Sequence, residues 1–294
     1  IQDATLRSLE LLKGRIDLLQ NGVPYVLINR LKEEHHLKSR TSAGINFTYM
    51  AFNLKNDYLK HLKVRKAMAL SIDRDRLIIY KLSRLASKAT SLLSPEHWAS
   101  IKLPHYRQNI SAAKKLLDEA GFTDPDGDGP KPRFKLTYKT SAVKERIEIA
   151  QLIAQNLGEI GIEVKVKSHE FGTFYRDIRQ GAFDIYTLTW VGLTDPDIYH
   201  FVFHSDSFAP NGGNRGYYKN DLVDKLIDAS RIETDANKRL LHYQVIQKQV
   251  YNDFPYAPLW YENNFVIMNK SIQGFKLVPN ASYVGLVNAW KSPE

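Results

Sequence analysis

Phe134-Lys-Leu-Thr-Tyr-Lys139, Val143 to Ile160, Ile162-Glu-Val-Lys-Val-Lys167, Phe171 to Gln180 and Phe183-Asp-Ile-Tyr-Thr-Leu-Thr-Trp190 decide the fold. Phe134–Lys139 and Ile162–Lys167 alternate apolar and polar residues, the period of a strand. Between them Ile149, Leu152, Ile153, Leu157 and Ile160 share one face of a helix, and Gly161 supplies a left-handed stop. A shorter helix at Phe171–Gln180 then leads to a third strand, Phe183–Trp190. Strand–helix–strand–helix–strand at these lengths predicts two right-handed parallel units, hence an α/β domain.

The flanks are less regular. Ala4–Lys13 predicts a helix ended by Gly14, Ile16–Leu19 a short strand, and Asn21-Gly22-Val23-Pro24 a turn. Gly44–Leu54 alternates through Ile45, Phe47, Tyr49 and Ala51 and predicts a strand. Helices are expected at Val64–Leu70, Arg74–Leu82, Ser111–Ala120, Leu222–Arg231 and Asn237–Tyr251. Tyr256–Met268, interrupted by Glu262-Asn263-Asn264, predicts a strand pair. The sharpest organisational boundary falls near Asn21–Ala43.

Composition narrows the function classes. At 294 residues, roughly 150 per domain favours two lobes. Hydrophobic residues at 43% and charged residues at 25% describe a globular chain, and no apolar run reaches a membrane-spanning length. Cysteine is absent, which removes disulfides, thiolate metal sites and cysteine nucleophiles. The +9 net charge is scattered, with no zinc-finger, RNP or basic-zipper pattern, so a solvated basic surface is favoured over nucleic-acid binding. Asp124-x-Asp126-x-Asp128-Gly129 matches the first half of a calcium loop. Its twelfth position is Lys135 where a bidentate Glu is needed, so a solvated turn is expected. His35-His36 should diverge on either a helix or a strand, and no metal or cofactor is expected. No nucleophile elbow, Walker A or dinucleotide fingerprint is present, so enzyme chemistry has no anchor.

What remains is architectural. Ligands of open parallel α/β sheets sit beyond the carboxyl ends of the strands. Those ends are Thr140-Ser141, Glu170-Phe171 and Trp190 through Asp197. Ser141 offers a hydroxyl whose alternative role is helix capping, Phe171 an aromatic plate, and Trp190 either a core or a ligand-stacking indole. Asn214, Arg215 and Tyr217 lie in the loop Asn211-Gly-Gly-Asn-Arg-Gly216, whose glycines make it adaptable and whose arginine suits a bidentate carboxylate clamp, against the alternative of a solvated surface arginine.

Read in order, a series of short stretches resembles the periplasmic oligopeptide/dipeptide-binding proteins of ABC importers, solute-binding protein family 5. They are Tyr49-Met-Ala-Phe-Asn53, Val64-Arg-Lys-Ala-Met-Ala-Leu-Ser-Ile-Asp73 with Arg74, Ser94-Pro-Glu-His-Trp98, Ala113-Lys-Lys-Leu-Leu117 and Ala120-Gly-Phe122. Gln155 to Ile162, Phe183-Asp184, Trp190-Val-Gly192, Asp195-Pro-Asp197, Phe203-His-Ser205 and Pro255-Tyr-Ala-Pro-Leu-Trp260 continue the series. No single piece is specific; the ordered set is. The resemblance implies a type II periplasmic-binding-protein-like α/β lobe with a mixed, mostly parallel sheet. It implies a first-lobe segment and crossover at 1–43, a second lobe at 44–270 and a return to the first lobe at 271–294, with further sequence upstream. It also implies a monomer, periplasmic or extracellular, that closes on a peptide or related solute and presents it to a membrane permease without chemistry. The competing classes are a ligand-sensing lobe behind a DNA-binding domain, a freestanding partner-binding paralogue, and an enzyme acting on a peptide.

One departure bears on the ligand. Many peptide-binding members place an Asp three residues after this Trp, where it pairs with the peptide's α-amine; here that residue is Leu193. Asp195, followed by Pro196, has the pattern of a helix N-cap and is thereby engaged, which leaves Asp197 as the residual amine partner. Because half of the implied cleft wall lies upstream, the 294-residue chain alone is expected to bind a peptide weakly. A nanomolar dissociation constant for it by calorimetry contradicts that expectation.

Overall fold

The computed structural model describes residues 1–127 and 129–293. Helix α1 (Ala4–Leu12), strand β1 (Leu18–Gln20), helix α2 (Tyr25–Glu33) and the long strand β2 (Leu37–Phe52) come first. Helices α3 (Leu62–Ser71) and α4 (Arg74–Tyr80), strand β3 (Ala86–Lys88) and helix α5 (Ile110–Glu119) follow. Then come β4 (Phe134–Ser141), α6 (Lys144–Gly158), β5 (Ile162–His169), α7 (Phe171–Arg179) and β6 (Ile185–Trp190). Helices α8 (Ile198–Phe203), α9 (Asp221–Ile232) and α10 (Ala236–Asp253) lead to a second long strand, β7 (Tyr256–Asn269), and a final pair, β8 (Ile272–Gln273) and β9 (Trp290–Lys291). Among the described residues no helix is long and apolar enough to cross a membrane.

Two compact units emerge: 1–46 with 75–87 and 261–294, and 47–74 with 88–260. Strands β2 and β7 contribute a segment to each. Residues 75–87 and 261–270, expected within a 44–270 lobe, group with the terminal segments. The first unit buries Leu11, Leu19, Ile28, Leu31, Leu37, Phe265 and Ile267 in one cluster, with β1 antiparallel to β7.

The second unit carries the sheet predicted from Phe134–Trp190. Strand β4 is parallel to both β5 and β6, and β2 closes the other side of β6 antiparallel, so the sheet is mixed. Phe134, Leu136 and Tyr138 point into the core while Lys135 stays exposed, as alternation requires. Helix α6 buries Ile149, Ala150, Ile153 and Leu157, and Gly161 follows it at φ +79°.

Three local expectations change. Helix α2 had no clear start signal: its N-cap is Pro24, which makes no side-chain capping bond. Strand β2 begins at Leu37, well before Gly44. Glu262-Asn263-Asn264 does not break β7, because these polar groups find partners inside the ladder. The Asn263 N–H donates to Leu85 O, and the Asn264 amide donates to the Val278 and Pro279 carbonyls.

Two buried arginines staple the second unit. Arg65 donates to the carbonyls of Phe254 (2.8 Å), Leu59 (2.8 Å) and Lys60 (2.9 Å), and burial pulls its pKa down to about 10. Arg74 donates to Ala89 O at 2.8 Å and Pro258 O at 3.0 Å. Neither relies on a carboxylate for these bonds. Replacing Arg65 by Met strands those carbonyls without donors and is expected to lower the unfolding free energy by about 3 kcal/mol. Urea denaturation of wild type and Arg65→Met measures it; an unchanged midpoint contradicts the stapling role.

Candidate functional site

Ser141, His169 and Trp190 end the three parallel strands β4, β5 and β6. The register of β2 on β6 sets Phe47 opposite Trp190 and Tyr49 opposite Leu188. Tyr49 stacks on Phe47 at 5.6 Å, on Trp190 at 6.1 Å and on Tyr256 at 4.2 Å, and meets Tyr186 edge-on at 6.1 Å.

Into this aromatic group comes Arg215, only 3% exposed. Its Nη2 donates to Tyr175 Oη at 3.0 Å and its Nη1 to Tyr49 Oη at 3.5 Å. Its guanidinium carbon lies 4.9 Å from the Trp190 ring centre and 5.2 Å from that of Tyr175, within cation–π range. Burial pushes the Tyr49 and Tyr256 phenols well above their ordinary value and raises Tyr186 too, so all three stay neutral. Burial opposes the Arg215 charge, yet its pKa lies above the ordinary value beside Tyr186, Tyr49, Tyr256 and Tyr175, and the guanidinium stays protonated.

Of the residues singled out from sequence, Trp190 and Arg215 are brought together. Phe171, 55% exposed at the start of α7, joins them through Tyr175, one turn on, on which it stacks at 5.8 Å. Phe201 closes the other side of Trp190, edge-on at 5.9 Å. Ser141 is buried at the end of β4 and caps nothing; the N-cap of α6 is Val143.

The loop after β6 and α8 differs from expectation. Asn214 is 1% exposed: it donates to Phe203 O, His204 O and Tyr218 O and accepts the Tyr218 N–H, and so staples the loop. Tyr217 turns away, under Lys55 at 3.5 Å and against Phe208. The loop glycines serve close packing rather than adaptability. A Cβ on Gly212 would stand 2.1 Å from Ser207 O, and one on Gly216 2.6 Å from Phe52 O. Arg215 is therefore neither a mobile bidentate clamp nor a solvated surface arginine: its loop is packed and two of its donors already face hydroxyls.

Asp195 is engaged, but two residues before the N-cap: its Oδ1 accepts the Asp197 N–H at 2.8 Å and pairs with Arg239 at 3.3 Å. Asp197 is the N-cap of α8 and pairs with Arg231 at 3.1 Å. Leu193 is buried.

Two histidine clusters were not anticipated. His35 and His36 approach edge to face at 5.4 Å beside Glu34, since they occupy a turn rather than a helix or strand. His200, His204 and Asp228 also converge. There the Nδ1 of His204 accepts the Asp206 N–H at 3.0 Å, which places its proton on Nε2, 3.3 Å from Asp228. That tautomer leaves His204 no lone pair for a metal. In the turn that begins at Asp124, read from sequence as solvated, Asp124 and Asp126 accept backbone N–H groups of Asp126 and Lys131; Asp128 lies outside the described residues.

Tyr49, Tyr175, Tyr186, Tyr256 and Phe201 were missed as site residues. The signal for Tyr49 was the alternation through β2; for Tyr175 it was the four-residue spacing from Phe171. Nothing in one sequence reports that Tyr186 and Tyr256 meet.

An aromatic edge thus stands over the parallel strand ends of a mixed α/β unit. The chain belongs to the bacterial extracellular solute-binding proteins, family 5, whose middle region matches residues 1–210. It is 30% identical to the oligopeptide-binding protein AppA of Bacillus subtilis (strain 168), over 99% of this chain and 54% of that protein. It is 26% identical to a dipeptide-binding protein of Pseudomonas aeruginosa, over 97% and 54%. The solved structure of Bacillus subtilis AppA in complex with a nonapeptide matches with a TM-score of 0.83 at 29% identity, covering all of this chain and 59% of that one. The chain thus spans about half the length of the curated relatives it matches.

The raised tyrosine values give a pH dependence. An unfolded tyrosine releases its proton near the ordinary value of 10, whereas the buried ones hold theirs to higher pH. Unfolding therefore releases protons only above about pH 10, so this contribution to stability is intact below that pH and falls as pH rises beyond it. Urea midpoints between pH 8 and 11, with tyrosinate absorbance followed in parallel, test this. Full ionisation of all tyrosines in the folded protein near pH 10 contradicts it.

Proposed function

We propose that this chain is the ligand-binding part of an exported solute-binding protein. It captures a peptide or related small solute without chemistry and delivers it to the membrane permease of an ABC importer, working as a monomer at the outer side of the membrane. The observation that carries this is the convergence of Trp190, Tyr175 with Phe171, and Arg215 beyond the carboxyl ends of β4–β6, where open α/β sheets bind ligands. The relatives, named as binding proteins, favour a carrier over a sensor fused to a DNA-binding domain.

The same edge is a poor host for a peptide's free amine. The residue three after Trp190 is the buried Leu193, and the carboxylates of Asp195 and Asp197 are each paired with an arginine. Drawing Asp195 or Asp197 away would forfeit those pairs, and an unpartnered buried ammonium costs on the order of 3 kcal/mol, about a hundredfold in affinity. Calorimetry on the intact gene product with a peptide and its N-acetylated form tests this, with acetylation expected to change affinity by no more than a few-fold. Loss of binding on acetylation, reproduced by Asp195→Asn or Asp197→Asn, overturns it. Absence of binding to peptides of either form removes the peptide function itself.

A further inference from the structure

The three buried arginines of the second unit are not equivalent. Arg65 and Arg74 spend their donors on backbone carbonyls. Arg215 has two hydroxyl acceptors for the five N–H donors a guanidinium carries, and its buried Nε has none. Among the described residues no carboxylate comes within ion-pairing distance of it; the groups that act on its charge are tyrosines.

The unmet polar atoms around it cluster. The Trp190 Nε1 and the hydroxyls of Tyr186 and Tyr256 are buried beside it without well-formed hydrogen bonds: the Tyr186 hydroxyl leans on Tyr49, Arg215 and Tyr256, and that of Tyr256 on Tyr49 and Trp190. Arg215 Nε and Trp190 Nε1 can only donate, and both phenols stay neutral. A buried cation without a counter-ion, ringed by weakly partnered donors, is costly unless something anionic approaches. The way in is over Trp190 and Tyr175, both partly exposed, and their exposed neighbours Phe171 and Phe201. Asp195 and Asp197, in the loop after Trp190, pair with Arg239 and Arg231, and Glu170, beside Phe171, is engaged with the Gly172 and Thr173 N–H groups.

We propose that the edge at Trp190 and Tyr175 receives the negatively charged end of the solute, so that a peptide lies with its carboxylate toward Arg215 and its amine directed away. The lobe then selects carboxylate-bearing solutes. This rests on the peptide-binding function above and adds the ligand's charge and direction. Trp190 and Tyr175 shift aside to admit the carboxylate, and Trp190 Nε1 and Arg215 Nε, buried beneath them, then supply its hydrogen bonds.

The intact gene product is equilibrated with one mixture of tripeptides in three forms: free acids, C-terminal amides and N-acetyl acids. Native mass spectrometry reads what is retained. The acids and N-acetyl acids are expected to be retained and the amides to be weakened about tenfold or more. Arg215→Met is expected to abolish the preference for acids over amides. Arg215→Lys keeps the charge and part of the preference. Trp190→Phe, which removes one donor and no charge, weakens acids a few-fold and leaves amides unchanged. Melting curves establish that each variant is folded; where Arg215→Met is not, Arg215→Lys and Trp190→Phe carry the comparison. Amides retained as well as acids, or an acid preference untouched by every variant, overturns the inference while peptide binding stands. Retention of no form at all overturns the peptide function and this inference with it.

Discussion

Six consecutive residues of β2, Phe47 to Phe52, turn neither face to solvent: each is at most 1% exposed. A strand buried on both faces cannot slip by one residue, since a slip would exchange two sets of side chains of different shape in a packed interior. That constraint fixes the register on β6 and, with it, the opposition of Phe47 to Trp190 and of Tyr49 to Leu188. The aromatic group at the strand ends follows. Tyr49 has to be central because it stands on the one strand that β6 and β7 flank, between Tyr186 and Tyr256.

A core with so much phenol poses an electrostatic problem, and Arg215 is where it is met. Phenolic hydroxyls taken out of water need partners, yet Tyr186 and Tyr256 have no well-formed hydrogen bond. The guanidinium offers them a positive charge, and Tyr175 and Trp190 offer it π faces in place of a carboxylate. The arrangement is self-consistent but incomplete, since neither the cation nor the indole N–H is satisfied. Arg65 and Arg74 make the contrast within the same unit: the fold can set a buried arginine against backbone carbonyls, and at the strand ends it sets Arg215 against phenol hydroxyls.

The fold was legible where local and tertiary preferences agree. The β4–α6–β5–α7–β6 run follows from alternation, a single apolar helix face and Gly161, all short-range signals. What sequence did not reveal depends on contacts distant along the chain. Helix α2 lacks a capping side chain, and the polar triplet in β7 looks like a turn until its partners Leu85, Val278 and Pro279 are known. The site shows the same division. Trp190, Phe171 and Arg215 stood out from position and residue type, whereas Asn214 and Tyr217, one and two residues from Arg215, point elsewhere. The left-handed backbone at Tyr217, φ +59°, turns it away, and no residue pattern signals that.

The glycines of 212–216 carry the last step. Their spacing suggested a loop free to adapt, but at Gly212 and Gly216 a Cβ would collide with main-chain oxygens, Ser207 O and Phe52 O. The loop is therefore pressed onto the ends of the elements it joins, and Asn214 locks it with four hydrogen bonds to Phe203, His204 and Tyr218. Arg215 sits between these two anchors, so its direction is set by backbone packing before any solute arrives. An ionic group held this way loses little conformational entropy on meeting its partner. The edge accordingly joins a rigid interior charge to an exposed aromatic rim at Phe171 and Phe201, and any side-chain adjustment falls to that rim and to Trp190 and Tyr175 between them.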